Sequence, residues 1–537
     1  MAKKFDDRVI EYVFPTRVLD ASSSVKNAEG LLEEKVLQIG FNENNLTEIK
    51  GKGRIVLDFG KEMQGGVRIL SREGDNATIN IRFGESVQEA ITPLGVKNTT
   101  NDHSPRDFKG ELKTLSDVTF GNTGFRFVCI ETLEDNVNVK LKSVVAKFEY
   151  RDLEYKGSFE CNDETINKIF DTAAYTCHLN MQNMLWDGIK RDRLVWIGDT
   201  HPEMMTIRSI FGADKCIEEA LTFTRNDSPL PLWINNFPTY SMWWIIILND
   251  YFMQVNNAEY TKNNLDYVEG LINQLNGLVD EKGNCDLGQY FLDWPTFGTE
   301  DAPAGVRSLF ILAVKAAINL FNIFGVNTDV AELLLDKLHR KSFSVTWAKQ
   351  SLAFQVLSGV VDPKDAYDFL TKDGAKGMST FTAFYLLKAV SLSGDTKTAL
   401  QMMKDYYGGM LSRGATSFWE DFSIDWLKGS GRIDEMPKEG EIDIHGDFGA
   451  FCYVGFRHSL CHGWASGPVP FIMERVLGIS ILEPGCKKLS IKPNLCGLKW
   501  MKGKYPTPYG IVEIEVKDEN GTISTKINAP SEIVIVK

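Results

Sequence analysis

Five stretches of this 537-residue chain gather carboxylates and amides among aromatic rings. DGIKRDRLVWIGD (187–199) sets Asp187, Asp192 and Asp199 among Lys190, Arg191 and Arg193, with Trp196 in their midst. PLPLWINNFPTYSMWW (229–244) carries three tryptophans and two asparagines. FLDWPTFGTEDAPAG (291–305) places Asp293 before Trp294, and SFWEDFSIDW (417–426) places Glu420 and Asp421 between aromatics. HGDFGAFCYVGFRHSLCHGWASGP (445–468) adds His445, His458 and His462. Aromatic faces stack on the apolar faces of a sugar ring, while carboxylates and amides bind its hydroxyls. Hydrolysis of a glycoside needs two carboxyl groups flanking the bond, one protonated as acid and one ionised as base or nucleophile.

Each stretch also has a purely structural explanation. The three aspartates of 187–199 suit a helix cap and ion pairs, and Glu420 suits a pair with Arg413 or Arg432. Of the adjacent Trp243 and Trp244, one belongs in a core, because neighbouring helical residues do not share a face. His458 and His462 form an HxxxH pair that would share a face if the segment were helical. It lacks HExxH and any CxxC partner, so no metal site is predicted.

The elements that would position these residues fall into three regions. Up to about residue 155, GRIVLDFG, GGVRILSR, NATINIRFGES, FRFVCIETL and VNVKLKSVVAKFEY alternate in strand fashion between turn residues, which suggests a β-sandwich. From Asp163, a good helix N-cap, apolar residues recur at helical spacing over 203–225, 239–253, 264–279, 304–325, 329–340 and 382–394. About ten to twelve helices fit between 163 and 476, as in an α-toroid. From about 480, LSIKPNL, GIVEIEVKDENG, TISTKIN and SEIVIVK return to strands. The expected domains are an N-terminal β-sandwich (1–155), a helical barrel (156–478) and a C-terminal β-sandwich (479–537).

Composition narrows the class. Apolar content of 43% and charged content of 24% are those of a globular protein. A net charge of −13 argues against nonspecific binding to nucleic acid or anionic membranes. The run MWWIIIL (242–248) is too short to span a bilayer, and MAKKFDDRVIEYVF lacks the unbroken apolar stretch of a signal peptide. Nine scattered cysteines fit a reducing compartment, so a cytoplasmic location is expected.

Taken in order, these motifs resemble glycoside hydrolase family 78, the α-L-rhamnosidases. DGIKRDRLVWIGD resembles that family's signature segment, FLDWPTFGTEDAPAG its Asp-Trp loop, SFWEDF its Trp-Glu segment and SLCHGWASGP its His-Gly-Trp motif. The resemblance covers about 155–475, and it implies a central all-α (α/α)6 barrel flanked by two β-sandwiches. It implies inverting hydrolysis, with Asp192 as general acid and Glu420 as general base. It also implies substrate contacts from Asp187, Arg191, Trp196, Asp199, Trp244, Asp293, Trp294 and His462. Many members carry a glutamate in a segment one residue longer, of the type RDERLGW. Counting back from Trp196 puts an aspartate at the acid position, with Asp199 as the rival proton donor. The expected substrate is a small imported rhamnoside, with no cofactor. The alternatives are another α-linked sugar on the same barrel or a non-catalytic sugar-binding protein. The C-terminal sandwich either seals one end of the barrel or forms a homodimer contact.

Overall fold

The structure is a computed structural model and describes residues 6–341 and 346–536. In chain order it has an N-terminal sheet domain, a central helical region and C-terminal sheets. Its contacts divide the chain into two units. One comprises Met1–Asp152, His178–Leu194 and Gly409–His462; the other comprises Leu153–Cys177, Val195–Gly408 and Gly463–Lys537.

In the first unit the 22-residue strand Gly53–Gly74 pairs antiparallel with both Asp117–Thr132 and Asn138–Arg151. The expected strands 53–60 and 65–72 are therefore one strand. Its inward residues alternate: Ile55, Leu57 and Phe59 join Ile79, Ile81 and Phe83 of the strand Ala77–Gly84 in one buried cluster. Phe125 meets Phe83 edge-on at 4.9 Å and Phe59 at 5.8 Å. Fully burying such a side chain contributes about 1.5–3 kcal/mol. Gly65 has φ +145°, and a Cβ there would lie 1.9 Å from the Lys147 carbonyl oxygen. Only glycine lets the two strands close at that point.

The second unit carries the helices. Asp163 caps its first helix, Glu164–Asn180, accepting from the Thr165 and Ile166 N–H groups at 3.0 and 3.3 Å. The expected helix over 203–225 is two helices, Ile197–Ile210 and Lys215–Asp227. Gly212 at φ +81° breaks the chain between them, and Asp214 caps the second. Helix Ala302–Phe324 is long and apolar enough to cross a membrane, yet two-thirds of that span is buried within the fold. It packs against helices Pro238–Val255 and Lys349–Ser358.

The C-terminal strands form two sheets. Trp500–Thr507, Gly510–Glu519 and Thr522–Asn528 make one, and its edge strand Ser158–Cys161 comes from before the first helix. Ile479–Glu483, Lys488–Ile491 and Val534–Val536 make the other.

Candidate active site

Five of the expected site residues lie in the first unit: Asp187, Arg191, Asp192, Glu420 and His462. The stretch 187–194 is a loop anchored to the sheet, where the Gly124 N–H donates to the Ile189 carbonyl at 3.2 Å. Asp187 closes this loop on itself. Its Oδ1 accepts from the Leu194 N–H at 3.0 Å, and its own N–H donates to the Leu194 carbonyl at 3.1 Å.

The two arginines of the loop face opposite ways. Arg191 is buried, and its Nη2 donates to Glu420 Oε1 at 3.0 Å. Its guanidinium also lies over the Tyr453 ring at 5.4 Å. Burial pulls the Arg191 pKa down, but the charges of Glu420 and Asp192 outweigh it and the net shift is upward. Arg193, at φ +63°, turns to the sheet and donates to the Gln64 side chain and the Asn122 carbonyl at 3.0 and 2.7 Å. Burial lowers its pKa to about 10.

Glu420 uses both carboxylate oxygens as acceptors. Oε1 takes Arg191, and Oε2 takes the Ser459 N–H at 3.1 Å. The Glu420 N–H in turn donates to the Ser459 carbonyl at 3.0 Å, locking two segments together. The pairing with Arg413 or Arg432 does not form: Arg413 reaches Ser430 and Leu427, and Arg432 pairs with Asp434. His462 sits between two carboxylates, its Nε2 3.7 Å from Asp187 and 3.5 Å from Glu420. Burial raises the Asp187 pKa; His462 opposes this, and the Asp192 charge adds to it. Asp192 differs from its neighbours, since a quarter of its side chain is exposed and His103 Nε2 lies 3.3 Å away.

The segment 458–462 is not helical, so the HxxxH imidazoles do not share a helix face. His458 Nε2 accepts the Asp421 N–H at 2.9 Å, and burial holds its pKa well below the usual histidine value. Glu85, Glu89 and His445 bring three donor atoms within 4.8 Å of one another, the spacing of a cation site. Lys190 Nζ lies 3.0 and 3.2 Å from those two carboxylates and supplies the positive charge there.

The other five residues belong to the second unit. Trp196 precedes helix Ile197–Ile210, whose first N–H is accepted by Asn235 Oδ1 at 3.1 Å. Asp199, in the first turn, accepts from the Tyr240 hydroxyl at 3.4 Å. A Cβ on Gly198 would lie 2.5 Å from the Tyr240 ring, so this approach requires glycine. Trp196 opens a row of rings in edge or tilted contact, running through Tyr240, Phe237 and Phe291 to Trp294 at centroid spacings of 5.2–6.4 Å. Asp293 accepts from the Trp294 N–H at 2.8 Å, from the Thr382 hydroxyl at 2.7 Å and from Ser379. Burial lifts its pKa to about 6. Trp244 lies elsewhere. It is fully buried, its indole N–H donates to the Leu221 carbonyl at 3.0 Å and its ring meets Tyr267. That is a core position with no surface left for a sugar, and Trp243 is buried as well.

Sequence reasoning did not pick out Glu85, Lys190, Ser459 or Tyr240 as members of these clusters. Lys190 lay in plain view inside the signature stretch, whereas Glu85 sits in FGES, a strand end with no catalytic spacing to mark it.

Comparison with known proteins identifies the family. Three family models match in order. They are the bacterial alpha-L-rhamnosidase concanavalin-like domain over 49–147, the 6 hairpin glycosidase domain over 154–313 and the C-terminal domain over 478–534. The chain belongs to the bacterial α-L-rhamnosidases, glycoside hydrolase family 78. An alpha-L-rhamnosidase of Formosa agariphila is 23% identical over 156 residues, 28% of this chain and 16% of that protein. The GH78 rhamnosidase of Bacillus sp. GL1 superposes with a TM-score of 0.73 at 18% identity, covering 92% of this chain and 54% of that one. The Klebsiella oxytoca rhamnosidase solved with rhamnose bound gives 0.67 at 18% identity, covering 87% and 96%. The chain thus spans about half the length of the Bacillus protein and nearly all of the Klebsiella one. These likenesses carry the fold, including the six-hairpin helical region.

Proposed function

We propose that this chain is an exo-acting α-L-rhamnosidase that removes terminal α-L-rhamnose from small rhamnosides by inverting, single-displacement hydrolysis. The observation that carries this reading is the contrast between two carboxyl groups of one unit. Glu420 is buried, with both oxygens accepting from Arg191 and from a backbone N–H. Asp192 is partly open, with a quarter of its side chain exposed and His103 Nε2 3.3 Å away. A base must accept, and an acid must be free to hand over a proton; two carboxyls in such unlike surroundings divide the roles.

In this mechanism Asp192 protonates the leaving glycosidic oxygen. Glu420 takes a proton from the water that attacks the anomeric carbon on the opposite face. Inversion calls for carboxyl groups about 6.5–9.5 Å apart, leaving room for that water. Asp187 and His462 bind the rhamnosyl hydroxyls, and Arg191 keeps Glu420 aligned. Asp199 is the weaker candidate for the acid, because the Tyr240 hydroxyl and its place in a helix first turn both favour its ionised form. The protein works in the cytoplasm on imported rhamnosides.

Hydrolysis of an aryl α-L-rhamnoside tests the reading. Asp192→Asn and Glu420→Gln should each abolish turnover, by on the order of 10²–10⁴-fold, in folded protein. Proton NMR of the first-formed rhamnose should show the inverted anomer. A retained anomer would exclude single displacement, and full activity in Asp199→Asn together with an inactive Asp192→Asn would fix the proton donor. Rhamnose binding without cleavage of any aryl glycoside would leave a binding protein instead.

A further inference from the structure

Glu85 lies just past the end of strand Ala77–Gly84, far in sequence from any catalytic motif. Its side chain is fully buried, and it is in contact with the segment that presents a hydrogen bond to Glu420. Glu85 Oε1 accepts from the Ser459 hydroxyl at 3.1 Å, and Oε2 accepts from the Leu460 N–H at 2.6 Å. The N–H of the same Ser459 donates to Glu420 Oε2. One serine thus links the two glutamates, through its hydroxyl on one side and its backbone on the other.

Lys190 completes the arrangement. It donates to the His458 and Phe456 carbonyls at 2.6 and 3.0 Å while pairing with Glu85 and Glu89. The next residue, Arg191, holds Glu420 directly. Adjacent cations of one loop therefore divide the work, Lys190 fixing the segment 456–460 and Arg191 fixing the carboxylate. From the other side the segment is held by the Ser417 hydroxyl on the Leu460 carbonyl at 2.8 Å and by the His462 N–H on the Phe418 carbonyl at 3.0 Å.

A buried ion pair between Glu85 and Lys190 adds little net stability against an apolar pair of the same size, so its presence calls for another reason. The contacts supply one: the Glu85 carboxylate is directed at the Ser459 hydroxyl, at the Leu460 N–H and at the lysine that clamps the same segment. We propose that Glu85 is a positioning residue for the general base, holding Glu420 in register through the Ser459–Leu460 backbone. This rests on Glu420 being the base. It makes a residue of the N-terminal sheet region necessary for turnover, a region that the sequence motifs leave as flanking architecture.

The experiment compares the wild-type chain with Glu85→Gln and Ser459→Ala on an aryl α-L-rhamnoside, with rhamnose affinity and melting temperature measured alongside. Glu85→Gln keeps the shape but turns an acceptor oxygen into a donor. It should lower kcat on the order of 10–100-fold while KM and rhamnose affinity stay within about threefold. Ser459→Ala keeps the N–H to Glu420 and removes the hydroxyl link to Glu85, together with the hydroxyl's bonds to the Cys461 carbonyl and N–H, so it should lower kcat less. Combined with Glu85→Gln it should add less than its effect alone, because both act on one contact. A merely structural role for Glu85 would move the melting temperature and the folded fraction, not kcat per folded molecule. Wild-type kcat in Glu85→Gln would overturn the inference, and so would full additivity of the two changes. If Glu85→Gln does not fold, unchanged kcat in Ser459→Ala overturns it alone. Active wild type with inactive Glu420→Gln and unaffected Glu85→Gln removes this inference and leaves the functional reading standing; inactive wild type removes both.

Discussion

At the scale of single residues, the two arginines that flank Asp192 give opposite outcomes. Arg191 is the buried partner of Glu420, so Arg191→Met leaves a buried carboxylate without its cation. Breaking a buried pair from one side costs about 3–5 kcal/mol. The same change should remove most hydrolysis of an aryl rhamnoside. Arg193 donates to Gln64 and Asn122 and lies over the Trp186 ring at 5.1 Å. Arg193→Met should therefore cost about 1–2 kcal/mol of stability, with activity within about threefold of wild type. Melting curves and kcat on the two variants check both halves; equal losses of activity would mean that Arg193 also faces substrate. Identical side chains two positions apart carry no sign of this in the sequence, because the turn that separates them is set by a positive φ at Arg193 and by sheet residues over sixty positions earlier. The carboxylates were legible and the facing of their cations was not. Trp244 fails for a related reason: its type suits a sugar platform, but only the packing of helices Pro238–Val255 and Lys215–Asp227 decides that its indole meets the Leu221 carbonyl.

Among elements, strand alternation predicted the core of the N-terminal sheet well, because period-two burial survives in antiparallel pairing. What alternation could not give is that GRIVLDFG and GGVRILSR are halves of one strand, both paired with Asp117–Thr132 and the second half also with Asn138–Arg151. That continuity depends on glycines, and Gly65 is the decisive one. Its Cβ-free backbone lets Lys147 approach, so Gly65→Ala must force the strands apart or bend the chain. The expected cost is about 2–4 kcal/mol, read from denaturant unfolding, with catalytic constants of the folded fraction unchanged. A loss under about 0.5 kcal/mol would show that the pairing of Gly53–Gly74 with Asn138–Arg151 relaxes freely at this point. Similarly, helical periodicity ran through 203–225 without a break because apolar spacing persists on both sides of Gly212. The break lies in a positive φ and an aspartate cap, which local chemistry signals more clearly than periodicity does. The strand Ser158–Cys161 was missed because it is four residues long, and its partner Trp500–Thr507 lies more than three hundred positions away.

For the whole molecule, buried titratable groups set how stability responds to pH, and two sets of them compete. Burial, followed by like charges, raises the Glu62 pKa well above the usual carboxylate value, and burial brings Glu85 to about 7. A group raised on folding contributes stability that is complete below its unfolded pKa and is lost as pH rises through the folded one. Glu85 thus loses its contribution between about 4.5 and 7, Asp293 loses its own between about 3.8 and 6, and Glu62 loses its own as pH rises from about 4.5. His445 and His458 have the opposite sign. Burial lowers both well below 6.5, so their contribution is present above 6.5 and lost as pH falls through that value. Below 6.5 the histidines and the carboxylates therefore pull against each other, at about 1.4 kcal/mol per pH unit for each group. Above 6.5 the histidines are silent, while the last of the Glu85 contribution is still being lost. The melting temperature should accordingly be nearly level from about pH 6 to 6.5 and decline as pH rises past 6.5. Glu62→Gln should flatten that decline, since a neutral amide has no proton to lose. A melting temperature that rises steadily to pH 8 in wild type, or the same decline in Glu62→Gln, would mean that Glu62 is charged in the folded chain and stabilised there by Lys190 and Arg126, the cations that oppose its shift.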